Sequence, residues 1–472
     1  MILSTVNLSE IYRHLRIDAE FYKPEYLHIA ALLESKTNIF PLRKYCNYIK
    51  KGIFDISPEL YVDNGIPLIR TSEIKDPLIT FSTTVFLQSR THQENLKTEI
   101  KPDDIVVTKI GAYIGDVALL PKKYSLYNFS QNVTGLSIKK KSINSKYLFS
   151  FLYSKFGRSQ LTRIIMLSGQ GKIELDDIRD ISIYQATNFF QSKVAKVIEI
   201  SQQSISKSEA KFTEAQNILL SELCLTNWQP KHQLSFVRNF SEAKEAGRMD
   251  AEYFQPKYSE LEASIKNYYG GYSFIKDEFK QRKNSFKINE EKTYQYVEIG
   301  SVNISNGEIT PDEVTGKDLP ANAKRIIKKG DIIISKVRTY RGAITIVEDN
   351  GYVASGAFTI LTEKGKINKE TLLSFLHSKP ILAWSLQPNT GTSYPVITDD
   401  DILNMPVPIL PPAIQDEIRQ KITESFSLRR QSKHLLECAK RAVELAIEQD
   451  EQTAIDWLER ETGASVQLSS AA

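Results

Sequence analysis

The stretch RIDAEFYKPEY (Arg16 to Tyr26) returns 232 residues later as RMDAEYFQPKY (Arg248 to Tyr258), with six of eleven positions identical. Two further matches follow in the same order. IKPDDIVVTKIGAYIG (Ile100 to Gly115) aligns with IKKGDIIISKVRTYRG (Ile327 to Gly342) at a spacing of 227, and INSKYLFSFLYSK (Ile143 to Lys155) with INKETLLSFLHSK (Ile367 to Lys379) at 224. The offset drifts by a few residues, as it does when loops shorten around an unchanged framework. Solenoid repeats recur about every 20–50 residues, so a period this long means two tandem domains. Whatever fold the first half adopts, the second must adopt as well.

The stretch that follows each repeat is duplicated too. Val194, Ile198, Ser201, Ile205, Ser208, Phe212, Ala215 and Leu219 fall at alternating spacings of four and three, the pattern of a coiled-coil seam. Adding 224 to each gives Ile418, Ile422, Ser425, Arg429, Ser432, Leu436, Ala439 and Val443, in the same register. Thr187 and Asn188 are natural N-caps for the first helix, and Pro411 and Pro412 suit the first turn of the second. Each helix is expected to run about 35 residues, hence about 52 Å at 1.5 Å per residue. Neither carries enough apolar surface to stand alone, so the two are expected to pack on each other antiparallel. The alternative is that each folds back on its own domain.

Within the repeats, DIVVTKI and DIIISKV are short β-branched runs entered from an Asp-containing turn, and LIRTSEI and VEIGSVNI are further strand–turn units. KYLFSFLYSK and ETLLSFLHSK carry helical apolar spacing. Strands followed by a helix point to a sheet with flanking helices rather than a doubly wound fold. The fold class is therefore mixed α/β: two tandem, pseudo-symmetric α+β domains separated by two long helices that form an antiparallel coiled coil. Expected boundaries are a first domain over 1–187, a helix over 188–226, a second domain over 227–411, a second helix over 412–449 and an acidic tail over 450–472.

Composition narrows the function. The chain is 41% hydrophobic and 25% charged, with a net charge of +4. Between Ile100 and Lys172, twelve Lys or Arg face three Asp or Glu, so this segment carries a strong positive excess. Such an excess fits a polyanion partner, because phosphate contacts dominate affinity for nucleic acid. The second copy is basic in the same place, in AKRIIKKGDIIISKVRTYRG. No apolar run approaches the roughly 20 residues of a membrane span, and MILSTVNLSEIYRHLR lacks a signal-peptide core. Three cysteines without metal-type spacing read as reduced residues of a cytoplasmic protein.

Catalytic motifs are missing. SGQGKIE (Ser168 to Glu174) has Met166 where a phosphate-binding loop needs its first glycine, and Ile173 in place of the magnesium-holding Ser or Thr. GAYIG (Gly111 to Gly115) lacks the third glycine of a dinucleotide fingerprint. The six His are scattered without HExxH or CxxC, so no metal site is expected. A loosely spaced carboxylate-and-lysine nuclease centre stays open.

The order of domain, helix, domain, helix resembles the specificity subunit of type I restriction–modification systems. GDIIISKVRTYRG and DDIVVTKIGAYIG carry the resemblance, with LNMPVPILPPAIQDEI (Leu403 to Ile418), the DAEFY and DAEYF openings, and the ending AKRAVELAIEQDEQTAIDWLE. ISIYQATNFFQ (Ile181 to Gln191) departs from the pattern by lacking the proline-rich lead-in. The resemblance implies that each repeat is a target-recognition domain for one half of a bipartite, asymmetric double-stranded DNA site. It implies too that the helices dock two methyltransferase subunits, with motor–endonuclease subunits joining for restriction. S-adenosylmethionine, ATP and magnesium would then belong to those partners, and this chain would hold no cofactor and no catalytic residue. A helix of about 52 Å corresponds to about 15 base pairs at 3.4 Å each.

Phosphate contacts position a DNA reader and base-edge contacts specify the sequence. In the first copy the candidates are Arg70, Ser72, Lys109, Tyr113, Gln170 and Lys172. In the second they are Ser301, Lys336, Arg338, Tyr340, Arg341, Thr392, Ser393 and Tyr394, with Val396 matching Lys172. Arg binds guanine and Gln pairs with adenine in bidentate fashion. Lys109/Lys336 and Tyr113/Tyr340 are shared by both copies and serve equally well as phosphate or framework residues, whereas Arg338, Arg341 and Gln170 differ between copies, as specificity requires. Two other classes remain: a single-chain nuclease or modification enzyme, and a protein-binding scaffold without DNA.

Overall fold

The computed structural model describes residues 4–470 apart from Leu15, Asp76, Ser82, 167–170, Pro230, Asn284, 305–306 and 392–393. The chain divides into two compact units, residues 1–205 with 429–472 and residues 206–428.

In the first unit, β1 (Cys46–Lys51), β4 (Ile105–Thr108), β5 (Val117–Leu119) and β7 (Val133–Ile138) form an antiparallel sheet in the order β1-β7-β4-β5. A second sheet joins β2 (Ile66–Ile69), β3 (Val85–Leu87) and β6 (Asn128–Phe129), with β6 parallel to β2 and Tyr61–Val62 at the edge. β4 is apolar at successive positions because both of its faces are covered. Ile105 and Val107 enter the core that holds Tyr147, Leu148 and Phe151 of helix α1 (Ser145–Tyr153), while Val106 enters a separate core with Ile69 and Phe129. Asn144 caps α1, its side chain accepting from Lys146 N at 3.0 Å. Helix α2 (Lys155–Arg163) follows.

The second unit repeats this plan. β8 (Phe279–Gln281), β12 (Ile332–Ser335), β13 (Ile344–Ile346) and β15 (Phe358–Glu363) give the order β8-β15-β12-β13. β9 (Thr293–Val297), β10 (Asp312–Thr315), β11 (Ala323–Ile327) and β14 (Tyr352–Ser355) give β10-β9-β14-β11. β12 divides its side chains as β4 does, Ile332 and Ile334 into one core and Ile333 into another. The copies differ at one edge. The ladder that pairs β11 with β14 and ends at Ile327–Tyr352 is reduced in the first copy to a single bridge between Ile100 and Tyr127. Helices α4 (Lys369–Leu376) and α5 (Lys379–Trp384) match α1 and α2.

The two long helices are α3 (Asn188–Glu222, 35 residues) and α6 (Pro412–Glu448, 37 residues). The boundary between the two compact units falls within both helices, so each unit includes part of each helix. In the second unit, Ser208 and Ser425 each donate to the other's carbonyl at 2.8 Å, Lys211 meets Glu424 at 3.5 Å and Lys421 meets Glu214 at 2.7 Å. Partner numbers fall as α3 advances, so the pairing is antiparallel. In the first unit, Ser201 Oγ donates to Ser432 O at 2.9 Å. Val194, Ile198, Ala215, Leu219, Ile418, Ile422, Leu436, Ala439 and Val443 are buried, and Ile205 and Phe212 half-buried. Thr187 caps α3 through its hydroxyl, which accepts from Phe190 N at 3.3 Å.

The acidic stretch expected as a tail over 450–472 is mostly a helix, α7 (Glu451–Ser470), whose Ala454, Ile455 and Leu458 complete the first unit's core. Its Glu451 accepts from Thr187 N at 3.0 Å and so caps α3 from outside. Among the described residues, no helix is long and apolar enough to cross a membrane.

Candidate nucleic-acid interface

In the first unit the C-terminal ends of β2, β6 and β4 meet at one edge. Ser130 N donates to Ile69 O at 2.9 Å, and Lys109 N donates to Asn132 O at 2.8 Å. A hairpin is added to this cluster. Met166 and Lys172 pair with each other, Lys172 also bridges to Ile110, and Ile173 N donates to Lys109 O at 3.1 Å. Gly111, at φ +138°, lies against the Thr71 methyl, at 3.8 Å from where its Cβ would be, so the loops after β4 and β2 touch. Lys109, Tyr113, Lys172, Arg70 and Ser72 therefore belong to one loop cluster.

Their side chains are differently engaged. Tyr113 is 64% exposed, with Lys75 Nζ 5.9 Å from its ring. Lys172 pairs with Glu174 at 2.6 Å and, with Lys109 nearby, holds that carboxyl below its ordinary range. Arg70 is committed to the framework: its Nη2 donates to the fully buried Glu73 at 2.9 Å and to Thr83 O at 2.6 Å. Ser72 Oγ bonds the same carboxylate at 3.0 Å. Burying a carboxylate is costly unless its oxygens are hydrogen-bonded. Arg70 is half-buried and Ser72 exposed.

The second unit builds the same edge. Lys336 N donates to Ala357 O at 2.8 Å, and Ile397 N to Lys336 O at 2.9 Å. Thr390 and Val396 pair across a hairpin, Val396 bridges to Val337, and Arg338 N donates to Pro395 O at 2.9 Å. Arg338 takes the left-handed conformation at φ +50°, where the first copy has Gly111, and its guanidinium lies 4.8 Å from the centre of the exposed Tyr394 ring. Left-handed backbone costs a non-glycine residue about 1–2 kcal/mol, and such strain concentrates at functional sites. Lys336 Nζ stands 3.4 Å from Asp399. Burial works to raise the Asp399 pKa, but the Thr359 hydroxyl and Lys336 outweigh it and hold the carboxyl below its ordinary value. Tyr340 is half-buried and Arg341 exposed, both in the turn Thr339–Arg341. Ser301 follows β9 at the same end of the sheets, but it is buried, its hydroxyl accepting from Glu298 N at 3.0 Å. Gln170, Thr392 and Ser393 lie outside the described residues.

The positive segment does not concentrate here. Lys146 pairs with Asp103, Lys155 with Glu448 and Arg158 with Asp116, and Lys139 to Lys141 follow the far end of β7. Glu174 and Asp399, the acidic partners of Lys172 and Lys336 in the two loop clusters, were not singled out by the sequence, although Glu174 stands two residues from Lys172. Among the described residues, no cluster of three His, Cys, Asp or Glu has the arrangement of a metal site.

Comparison with known proteins supplies the remaining observation. The S subunit of a type I restriction–modification system from M. genitalium covers 89% of this chain and 95% of its own, at 13% identity and a TM-score of 0.35. The HsdS subunit from Thermoanaerobacter tengcongensis covers 87% and 96%, at 14% identity and a TM-score of 0.28. A chain from a structure on the complex assembly and conformational transition of the type I R-M system covers 89% and 96%, at 15% identity and a TM-score of 0.27. No curated protein matches by sequence. The profile of the type I restriction modification DNA specificity domain matches twice, over residues 34–203 and 271–436, one match to each copy of the repeat, and the chain belongs to that family.

Proposed function

We propose that this chain is the non-catalytic reader of a type I restriction–modification complex. Each repeat reads one half of a bipartite, asymmetric DNA target, and the long helices set the gap and dock two methyltransferase subunits. Methyl transfer with S-adenosylmethionine, and ATP- and magnesium-dependent cleavage by motor–endonuclease subunits, belong to those partners. One observation carries this proposal: the same loop cluster is built twice and furnished differently. Lys109/Lys336 and Tyr113/Tyr340 are common to both, whereas Gly111, Ile114 and Lys172 of the first are Arg338, Arg341 and Val396 of the second. A shared framework with different contact residues is what two unlike half-sites require. Selection from a pool of random-sequence duplexes by the purified full chain tests it. Two short, unlike blocks at a fixed gap are expected. No enrichment, or one block alone, would overturn the proposal.

A further inference from the structure

The motif that opens the chain's two repeats has a structural task. Arg16 Nε donates to Asp18 at 2.7 Å, and its Nη2 reaches Asp18 at 3.0 Å and the carbonyl of Ile165 at 3.2 Å. Arg248 Nε donates to Asp250 at 2.7 Å, and its two terminal nitrogens reach the carbonyls of Pro388 at 3.0 Å and Asn389 at 2.9 Å. Ile165 and Asn389 occupy equivalent places, each immediately before the first arm of the hairpin (Met166 or Thr390). In both copies the Asp also caps the chain behind it, accepting at 3.1 Å from Phe21 N or Tyr253 N. The Arg lies over that same residue's ring, 4.6 Å from its centre. A second tie is conserved in position though not in kind: Arg163 donates to Phe21 O at 2.9 Å and Gln387 to Tyr253 O at 3.1 Å.

Only a guanidinium fork can hold a carboxylate and one or two carbonyls in a single plane. The Arg–Asp pair and the main-chain carbonyl it reaches recur in both copies, while the sequences that follow that carbonyl are unrelated: MLSGQGK against TGTSYPV. Their second arms bridge to Ile110 and Val337, in the loops that carry Tyr113 and Arg338. A constant clamp on a variable loop is expected where the loop must be held at a fixed place while its contacts change.

Resting on the DNA-reading function above, we propose that Arg16 with Asp18, and Arg248 with Asp250, are positioning residues that fix the two recognition hairpins, each setting the selectivity of its own half-site. The test is random-duplex selection with the full chain carrying Arg16→Gln or Arg248→Gln. Asp18→Asn and Asp250→Asn serve as second variants that keep the capping oxygen while weakening the Arg anchor. Discrimination is expected to fall about tenfold at one half-site only, a different one for each copy, as when a recognition loop loses its supporting contacts. Arg338→Ala is run beside them. If it erases a position of the second half-site while Arg248→Gln and Asp250→Asn change neither half, the clamp proposal fails and the DNA reading stands. If the parent chain selects no bipartite site, the DNA reading itself fails. Equal loss at both half-sites in the folded Asn variants would make the motif a general framework element and also overturn the proposal.

Discussion

Gln415 accepts a hydrogen bond from Asn368 N at 3.0 Å, and Asn368 is the residue whose side chain caps α4. Gln191 does the same for Asn144 N at 2.8 Å. Both glutamines are buried, and their amides donate to the chain just before the long helix, at Leu410 O (2.9 Å) and Ala186 O (2.8 Å). Each joins the start of a long helix to the first turn of a domain helix. Removing the side chain leaves a half-buried N–H and a buried carbonyl without their partner, at about 1–3 kcal/mol for an unsatisfied buried group. Gln191→Ala and Gln415→Ala are each expected to destabilise the chain by about 2 kcal/mol or more in denaturant unfolding.

Arg338 combines a left-handed backbone with a side chain stacked on Tyr394. Arg338→Gly relieves the strain and Arg338→Ala does not. The glycine also gains freedom in the unfolded chain, which offsets part of the gain. Glycine is still expected to be the more stable of the two, by up to about 1 kcal/mol. Both variants are expected to relax one position of the second half-site, and parallel unfolding and DNA selection separate the two effects.

His377 is buried, with Nε2 2.8 Å from Ile344 O and its ring 5.5 Å from that of Phe212. Burial pushes its pKa below the ordinary 6.5, with the Ile344 bond opposing only in part. The unfolded chain therefore takes up this proton first. Stability from the neutral ring is fully present above about 6.5 and is lost as pH falls below it. The loss is at most about 1.4 kcal/mol per pH unit. The midpoint of thermal unfolding is expected to fall from pH 7.5 to 5.5 by more in the parent chain than in His377→Gln.

Much of the fold was legible because it rests on periodicity. The apolar runs of β4 and β12 declare strands covered on both faces, and most of the heptad positions from Val194 and Ile418 are buried, with Ile205 and Phe212 half-buried. The end of the chain was not legible. Its acidic residues signal solvent, and only the spacing of Ala454, Ile455 and Leu458 betrays a packed face on α7. Side-chain roles were legible by type but not by partner. Arg70 looks like a base reader until Glu73 is found buried beneath it. The clamp of Arg16 was visible as a repeat, but its target is a main-chain carbonyl 149 residues away, which has no side-chain signature. Ser301 was a candidate reader by type and place, yet its hydroxyl serves Glu298 N within its own turn.

The central claim is tested most directly by mapping N6-methyladenine across the genome of a host carrying this chain, and again after the chain alone is deleted. Loss of one asymmetric, two-part motif with a fixed gap is the expected result. A map unchanged by the deletion would contradict the assignment of this chain as the sequence reader.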